Sequence, residues 1–187
     1  EDFVSHIASI EDVKCIYPYS LSVSVIKEKE EFESVVFKGV GEDFPLEAFD
    51  GFIVEGKMPV YENDEENDSI VISRTTANRL EIGVGDRIKA HFMREGRQTP
   101  IMRYFTIAAI YKTDISAIDE TYAIASRKAV GRINGWEEDQ ISGYEIVLDN
   151  PNAISSVAPQ IYVETSWKFN VTTMEDTHAT LLDWVKM

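Results

Sequence analysis

The stretch from Ser69 to Met93 constrains the fold of this chain more than any other segment. A short apolar strand, Ser69–Ile72, precedes a helix that begins at the N-cap Ser73 and extends through Leu80. A glycine turn then leads into a second strand, Arg87–Met93. The pattern predicts a tight β-α-β unit.

Two further expectations concern this unit. Its strand, helix face and turn direct five apolar side chains inward, so we expect a core of Val71, Ile72, Leu80, Val84 and Ile88. We also expect Gly83 to adopt a positive φ angle as the residue past the helix end.

Short strands and short helices fill the rest of the chain, which predicts the α+β class. Between Cys15 and Ile26, alternation of apolar residues with serines predicts a strand with one polar face, paired in a hairpin with Glu33–Val40. Pro159 is expected to end a helix after about two turns. The other expected elements are a helix Glu1–Ile10, strands Met102–Tyr111, Thr121–Ala125, Gly143–Leu148 and Trp167–Thr172, and helices from Ser126 to Gly135 and from Thr173.

Acidic side chains strongly outnumber basic ones. The chain has 33 Asp and Glu against 18 Lys and Arg, a formal net charge of −15, and the resulting repulsion argues against nucleic acid and anionic lipid as partners. Residues 42–68 contain 10 acidic side chains and a single lysine, which marks the expected boundary between two subdomains. The tip of the predicted hairpin Arg87–Tyr111 is locally basic, with Arg94, Arg97 and Arg103.

Residues with catalytic or metal-ligating spacing are not found in the sequence. His6, His91 and His178 lie far apart, and the single cysteine, Cys15, sits in an apolar stretch typical of small buried side chains. The sequence Gly83–Asp86 follows a helix instead of opening one, so it predicts a turn and not a phosphate loop. No serine occupies a nucleophile elbow. We therefore expect a protein that is not an enzyme and uses no cofactor or metal.

The two ends of the chain interrupt helical patterns. Phe3, Ile7 and Ile10 have helical spacing at the start, and Leu181–Val185 repeats it at the end. The N-terminus lacks a signal peptide, and no stretch approaches the roughly 18 apolar residues that span a bilayer. These observations predict that the chain is a segment of a longer protein.

The order of several segments carries a family resemblance. The most specific are Gly56–Pro59, Ser69–Ser73 and Ala77–Ile88, and the others are Val36–Val40, Phe105–Tyr111, Asp119–Ile124, Ile133–Ile146 and Leu182–Lys186. Together they resemble the LolC/LolE branch of the FtsX-like and MacB-like ABC-transporter permeases, over almost the whole chain.

The resemblance implies two subdomains. A Porter-like αβ sandwich built from both chain ends comprises residues 1–45 and 116–187, and a mainly-β Sabre-like subdomain, residues 46–115, is inserted between them. In LolC the Sabre carries a long hairpin, the hook, which recruits a periplasmic lipoprotein chaperone. The matching hairpin here is shorter, and its candidate partner-binding residues are Arg94, Arg97, Gln98 and Pro100.

The resemblance also implies a function. It indicates a periplasmic domain, at the periplasmic face of the bacterial inner membrane, that couples cytoplasmic ATP hydrolysis to periplasmic work such as lipoprotein release. The implied partners are a partner permease subunit, a cytoplasmic ATPase subunit and a lipoprotein or chaperone, with membrane contact only through flanking helices. Two alternatives stay open: an FtsX-like permease acting on a peptide, drug or cell-wall hydrolase, and a stand-alone extracytoplasmic ligand-binding or adaptor domain.

Overall fold

The computed structural model describes residues 2–61, 67–94, 96, 98–165 and 169–173. Its strands are β1 (Val13–Glu28), β2 (Glu31–Val40), β3 (Ile53–Gly56), β4 (Ser69–Ser73), β5 (Arg87–Phe92), β6 (Ile101–Tyr111), β7 (Tyr122–Ser126) and β8 (Gly143–Leu148). Its helices are α1 (Asp2–Ala8), α2 (Leu46–Asp50), α3 (Arg74–Leu80), α4 (Ser116–Asp119), α5 (Arg127–Asn134) and α6 (Ile154–Thr165), the last preceded by a 3-10 turn, Pro151–Ala153. The α+β class is confirmed.

The chain divides into two compact units. One combines Glu1–Ile16 with Glu145–Met187, and the other comprises Tyr17–Tyr144. The expected subdomains, 1–45 with 116–187 and 46–115, have other boundaries because they follow a family subdivision and not compactness. That assignment stays a prediction.

Six strands of the larger unit pair in a closed ring. The order is β2, β7, β4, β6, β5 and β1, and β1 also pairs with β2. The β2–β7 and β4–β6 pairs are parallel and the other four are antiparallel. Strand β3 adds to β6, and β8 adds to β1. Because each of the six ring strands is paired on both sides, the ring offers partners its outer face.

Strand β6 lies between β4 and β5, parallel to the first and antiparallel to the second. The predicted β-α-β crossover is therefore wrong, since β5 pairs with its hairpin partner β6 and does not lie beside β4. The predicted hairpins, β1 with β2 and β5 with β6, are confirmed.

The inward face of the ring carries large aromatic side chains. The ring centroids of Phe37, Phe92 and Phe105 lie 4.9 to 6.1 Å apart. Ser22 is directly opposite Phe37, and Ser24 is opposite Phe92. Small side chains at these two positions leave room for the neighbouring rings.

The serine face of β1 is therefore its buried face. Ser24 satisfies its hydroxyl by donating a hydrogen bond to the carbonyl oxygen of Val35 at 2.9 Å. The alternate residues Val23 and Val25 point outward and are 60% and 40% exposed. The outward valines leave apolar surface in contact with solvent.

Four of the five expected core residues of the Ser69–Met93 unit are buried. Val71, Ile72, Leu80 and Ile88 are each no more than 2% exposed. Val84 is 38% exposed, so its assignment to the core is wrong. It lies in the turn Gly83–Asp86, closed by a backbone hydrogen bond between those two residues at 3.2 Å.

Helix α3 ends in a left-handed residue, but that residue is Glu81 and not Gly83. Glu81 has φ 55°, and the backbone N–H of Ile82 donates to the carbonyl of Ala77 at 3.0 Å, which is the Schellman pattern. Gly83 has no positive φ, and its N–H donates to a carboxylate oxygen of Asp86 at 2.8 Å. The expected positive φ at Gly83 is wrong because the helix ends earlier than the glycine suggests.

In the smaller unit, α6 continues through Pro159 to Thr165. The expected stop at Pro159 is therefore wrong. One lost backbone hydrogen bond is tolerated because the helix buries an apolar stripe. The buried apolar cluster of this unit comprises Ile7, Ala153, Val157 and Ile161.

The C-terminal predictions fall partly outside the described residues. Residues 169–172 do not form the expected strand. Trp167, His178 and the expected last helix lie outside the described residues, as does most of the acidic loop, 62–66.

Candidate partner-binding hairpin

Strands β5 and β6 form the hairpin that carries the candidate partner-binding residues. They pair from Arg87 opposite Thr106 to Phe92 opposite Ile101. Gly96 lies in the connecting loop with φ 76°, an angle that glycine adopts without strain. The inward side chains of both strands belong to the core, so the base of the hairpin is firmly held.

Arg94 is half-buried against the end of helix α5. Its guanidinium Nη2 donates to the carbonyl oxygen of Gly135 at 3.5 Å. Gly135 ends α5 with φ 70°, and a Cβ atom there would lie 1.8 Å from Arg94 Nη2. The cation thus lies where the helix dipole is negative. Gly135 is favoured for its φ angle, and a side chain there would displace the Arg94 guanidinium.

The other predicted residues of the tip are placed differently. Gln98 and Pro100 are exposed, and Arg103 is an exposed residue of β6 opposite Ala90. Arg97 lies outside the described residues. The structure therefore does not bring Arg94 together with Arg103 in one exposed cluster.

The outer face of the hairpin carries cations that sequence reasoning missed. The Arg87 guanidinium lies 5.0 Å from the centroid of the Tyr104 ring, and Lys89 Nζ lies 5.9 Å from it. The alternation of Arg87, Lys89 and His91 along one strand would have indicated this face.

The strongly perturbed titratable groups are buried structural residues. Burial raises the pKa of the Tyr61 phenol, whose hydroxyl donates to the carbonyl oxygen of Ser69 at 3.1 Å. Burial also raises the pKa of Tyr111, and the nearby Asp119 carboxylate adds to that shift. Asp119 itself accepts hydrogen bonds from Thr113 and so organises a loop.

The thiol and the histidines do not converge on a site. Burial raises the pKa of Cys15, which makes its thiol less reactive. His6 is exposed and lies 3.5 Å from Glu164, whereas His91 is on the hairpin. Among the described residues, no three His, Cys, Asp or Glu side chains are grouped as metal ligands.

None of the described helices is both long enough and apolar enough to cross a membrane.

No protein-family model matches this chain, and the curated proteins give no match. Solved structures do share its fold. The extracellular domain of the ABC-type transporter YknZ from Gram-positive bacteria has a TM-score of 0.52 and 12% identity, over 87% of this chain and 82% of that one. The periplasmic region of MacB from Actinobacillus actinomycetemcomitans has a TM-score of 0.54 and 13% identity, over 97% and 81%.

Both similarities extend over most of each chain, so they concern the whole arrangement of strands and helices and not one motif. At these identities the likeness establishes the fold. The chain therefore has the fold shared by the periplasmic region of MacB and the extracellular domain of the ABC-type transporter YknZ.

Proposed function

We propose that this chain is the extracytoplasmic domain of an ABC-transporter permease. The observation that carries the proposal is the fold shared with the MacB and YknZ domains over 97% and 87% of this chain. The family resemblance of segments such as Gly56–Pro59 and Ala77–Ile88 supports it independently.

In this role the domain stands at the periplasmic face of the bacterial inner membrane. It contacts a partner permease subunit and relays ATP hydrolysis by a cytoplasmic ATPase subunit to periplasmic work. Such a module acts by binding and by movement, and it requires no catalytic residue. The closed ring of strands supports this role because a rigid body transmits displacement without deforming.

The cargo is the finer part of the proposal. The LolC/LolE resemblance favours release of lipoproteins toward the outer membrane, with Porter-like residues 1–45 and 116–187 and Sabre-like residues 46–115. A peptide, a drug or a cell-wall hydrolase is an equally open cargo, since one fold serves several functions.

We also propose that the hairpin tip, with Arg94, Arg97, Gln98 and Pro100, contacts an acidic partner surface. Arg97→Glu should then slow association with a partner permease, chaperone or lipoprotein, because charges at the rim of an interface chiefly steer encounter. The effect should be larger at low salt, since charges are screened over about 8 Å at physiological ionic strength.

The measurement is the association rate of the natural chain and of Arg97→Glu at two salt concentrations. Lys57→Glu is the matched control, because it makes the same charge change at an exposed lysine that is distant from the hairpin tip in the sequence. Equal rates for natural chain and Arg97→Glu, with both folded, would assign the tip to ordinary solvated surface.

The alternative function is that of a stand-alone ligand-binding or adaptor domain. The coding sequence on either side of this segment distinguishes a permease domain from a stand-alone domain. A permease requires an apolar helix of about 20 residues closely before Glu1 and another soon after Met187, and their absence from the gene would favour the stand-alone domain.

A further inference from the structure

The outer face of strands β2, β1, β5 and β6 combines exposed apolar side chains with cations. We call it the cationic-apolar face and define it by Val25, Lys27, Phe32, Lys89, Met102 and Tyr104. One row runs across all four strands, since Phe32 is opposite Lys27, Lys27 is opposite Lys89, and Lys89 is opposite Tyr104. A second row places Val25 and Met102 on either side of His91.

The apolar side chains of this face are open to solvent and lie between its cationic side chains. Phe32 is 59% exposed and Met102 45%, and Val23 continues the apolar surface along β1. Four neighbouring strands span about 14 Å across, at about 4.8 Å between strands. Exposed apolar side chains grouped on neighbouring strands mark an interaction site more often than single exposed residues do.

The charge on this face is opposite in sign to the charge of the whole molecule. Strands β1, β2, β5 and β6 place no carboxylate at their outward positions, although the chain has 33 acidic residues. Among the described residues, Lys27, Arg87 and Lys89 have no ion-pair partner. Within the described residues these cations therefore make no direct ion pair, which leaves them able to pair with the carboxylates of a partner.

The arrangement of the lysines works against folding. Lys27 and Lys89 are directly opposite each other on paired strands, and like charges in that position destabilise a sheet. The aromatic rings hold these cations in place, with Lys27 Nζ 5.0 Å from the Phe32 centroid and Lys89 Nζ 5.9 Å from that of Tyr104. A cluster that opposes folding and is held in a fixed geometry is suited to an anionic partner.

From this charge complementarity we infer that the cationic-apolar face binds a protein segment in which apolar and acidic side chains alternate. The apolar groups cover Val25, Phe32 and Met102, and the carboxylates pair with Lys27 and Lys89. An anionic membrane fits less well, because a bilayer would face the whole molecule with its net charge of −15. A short segment contacts only this face. At physiological salt charges are screened over roughly 8 Å, so the segment interacts chiefly with the cations of this face and not with the distant carboxylates.

The test uses nuclear magnetic resonance of the isotope-labelled chain. The probe is a short synthetic peptide in which leucine and glutamate alternate, and the matched peptide has lysine in place of glutamate. Vesicles of phosphatidylcholine with and without phosphatidylglycerol form a separate arm. The variants are Lys89→Glu with Lys57→Glu as its charge-matched control, and Val25→Ser with the exposed valine substitution Val54→Ser as its control.

We expect the leucine-glutamate peptide to shift resonances of β1, β2, β5 and β6, and the leucine-lysine peptide to leave them unchanged. Lys89→Glu should weaken binding about tenfold, within the range of close charge pairs across interfaces, and Val25→Ser should also weaken it. Both control variants should bind within about twofold of the natural chain, since their sites lie off the face.

Four results would overturn the inference. They are no resonance shifts, shifts confined to other elements, equal binding of both peptides, and equal effects of Lys89→Glu and Lys57→Glu. Binding of phosphatidylglycerol vesicles through this face without binding of the peptide would identify a membrane as the occupant instead. Circular dichroism of each variant separates a loss of binding from a loss of folding.

Discussion

Leu80→Ala tests whether helix α3 packs on the core of the larger unit. Leu80 is 2% exposed and belongs to the same buried cluster as Ile72 and Ile88. The substitution removes three carbon atoms, and at about 0.8 kcal/mol for each the transfer from water accounts for about 2.4 kcal/mol. The cavity left behind adds to this, so the free energy of unfolding should fall by about 2 to 5 kcal/mol.

The assay is urea unfolding followed by circular dichroism, with Val84→Ala as the matched control. Val84 is 38% exposed in the turn after α3, so its truncation should change the free energy of unfolding by less than about 1 kcal/mol. If Leu80→Ala and Val84→Ala had the same unfolding free energy, the packing of α3 described above would be refuted.

The remaining predictions concern backbone strain and buried phenols. Glu81→Gly should raise the free energy of unfolding by about 0.5 to 1 kcal/mol, because Glu81 has φ 55° and glycine adopts that angle without strain. Gly83→Ala should not lower the free energy of unfolding, because an added Cβ atom would have no contact closer than 4.0 Å. Urea unfolding measures both variants, and a gain for Gly83→Ala with a loss for Glu81→Gly would contradict the helix end described. Burial raises the pKa of Tyr61 and Tyr111 above its ordinary value of 10.0. The contribution of each buried phenol to the free energy of unfolding is therefore constant below about pH 10. Above that pH the unfolded state loses its phenol proton first, and the free energy of unfolding falls by about 1.4 kcal/mol per pH unit for each phenol. Tyr111→Phe should make unfolding free energy less dependent on pH between 10 and 12, and an unchanged slope would contradict its burial.

The sequence predicted those elements whose apolar pattern and end residues agree. Strand β8 has the predicted bounds, Gly143–Leu148, and α5 ends at Gly135 as expected, with that glycine in the left-handed conformation. Ser73 caps α3, with its hydroxyl oxygen accepting the N–H of Thr76 at 3.0 Å. At the start of α3 and the end of α5 one local feature, the cap serine or the glycine, decides the boundary, and that feature is visible in the sequence.

Tertiary packing determines the features that local sequence patterns leave open, such as which face of a strand is buried. Alternation in β1 predicts a strand but does not say which face is buried, and the large rings of Phe37 and Phe92 select the serine face. Similarly, α6 continues through Pro159 because its buried residues Val157 and Ile161 outweigh one lost hydrogen bond.

The hairpin was predicted from local signals, but its outer face was not. Lys27 and Lys89 are 62 positions apart in the sequence and become direct neighbours only through the pairing of β1 with β5. Arg94 was expected at an exposed tip, and its contact with Gly135 depends on where α5 ends. Non-local register of this kind cannot be obtained from a pattern within one segment.

The most direct test of the proposed function is purification of the full-length natural gene product from its own membrane. The proposal predicts that it is extracted only with detergent, that an ATP-binding subunit co-purifies with it, and that mass spectrometry identifies a bound cargo. Recovery of the protein without detergent, free of any ATP-binding subunit, would contradict the assignment to a permease.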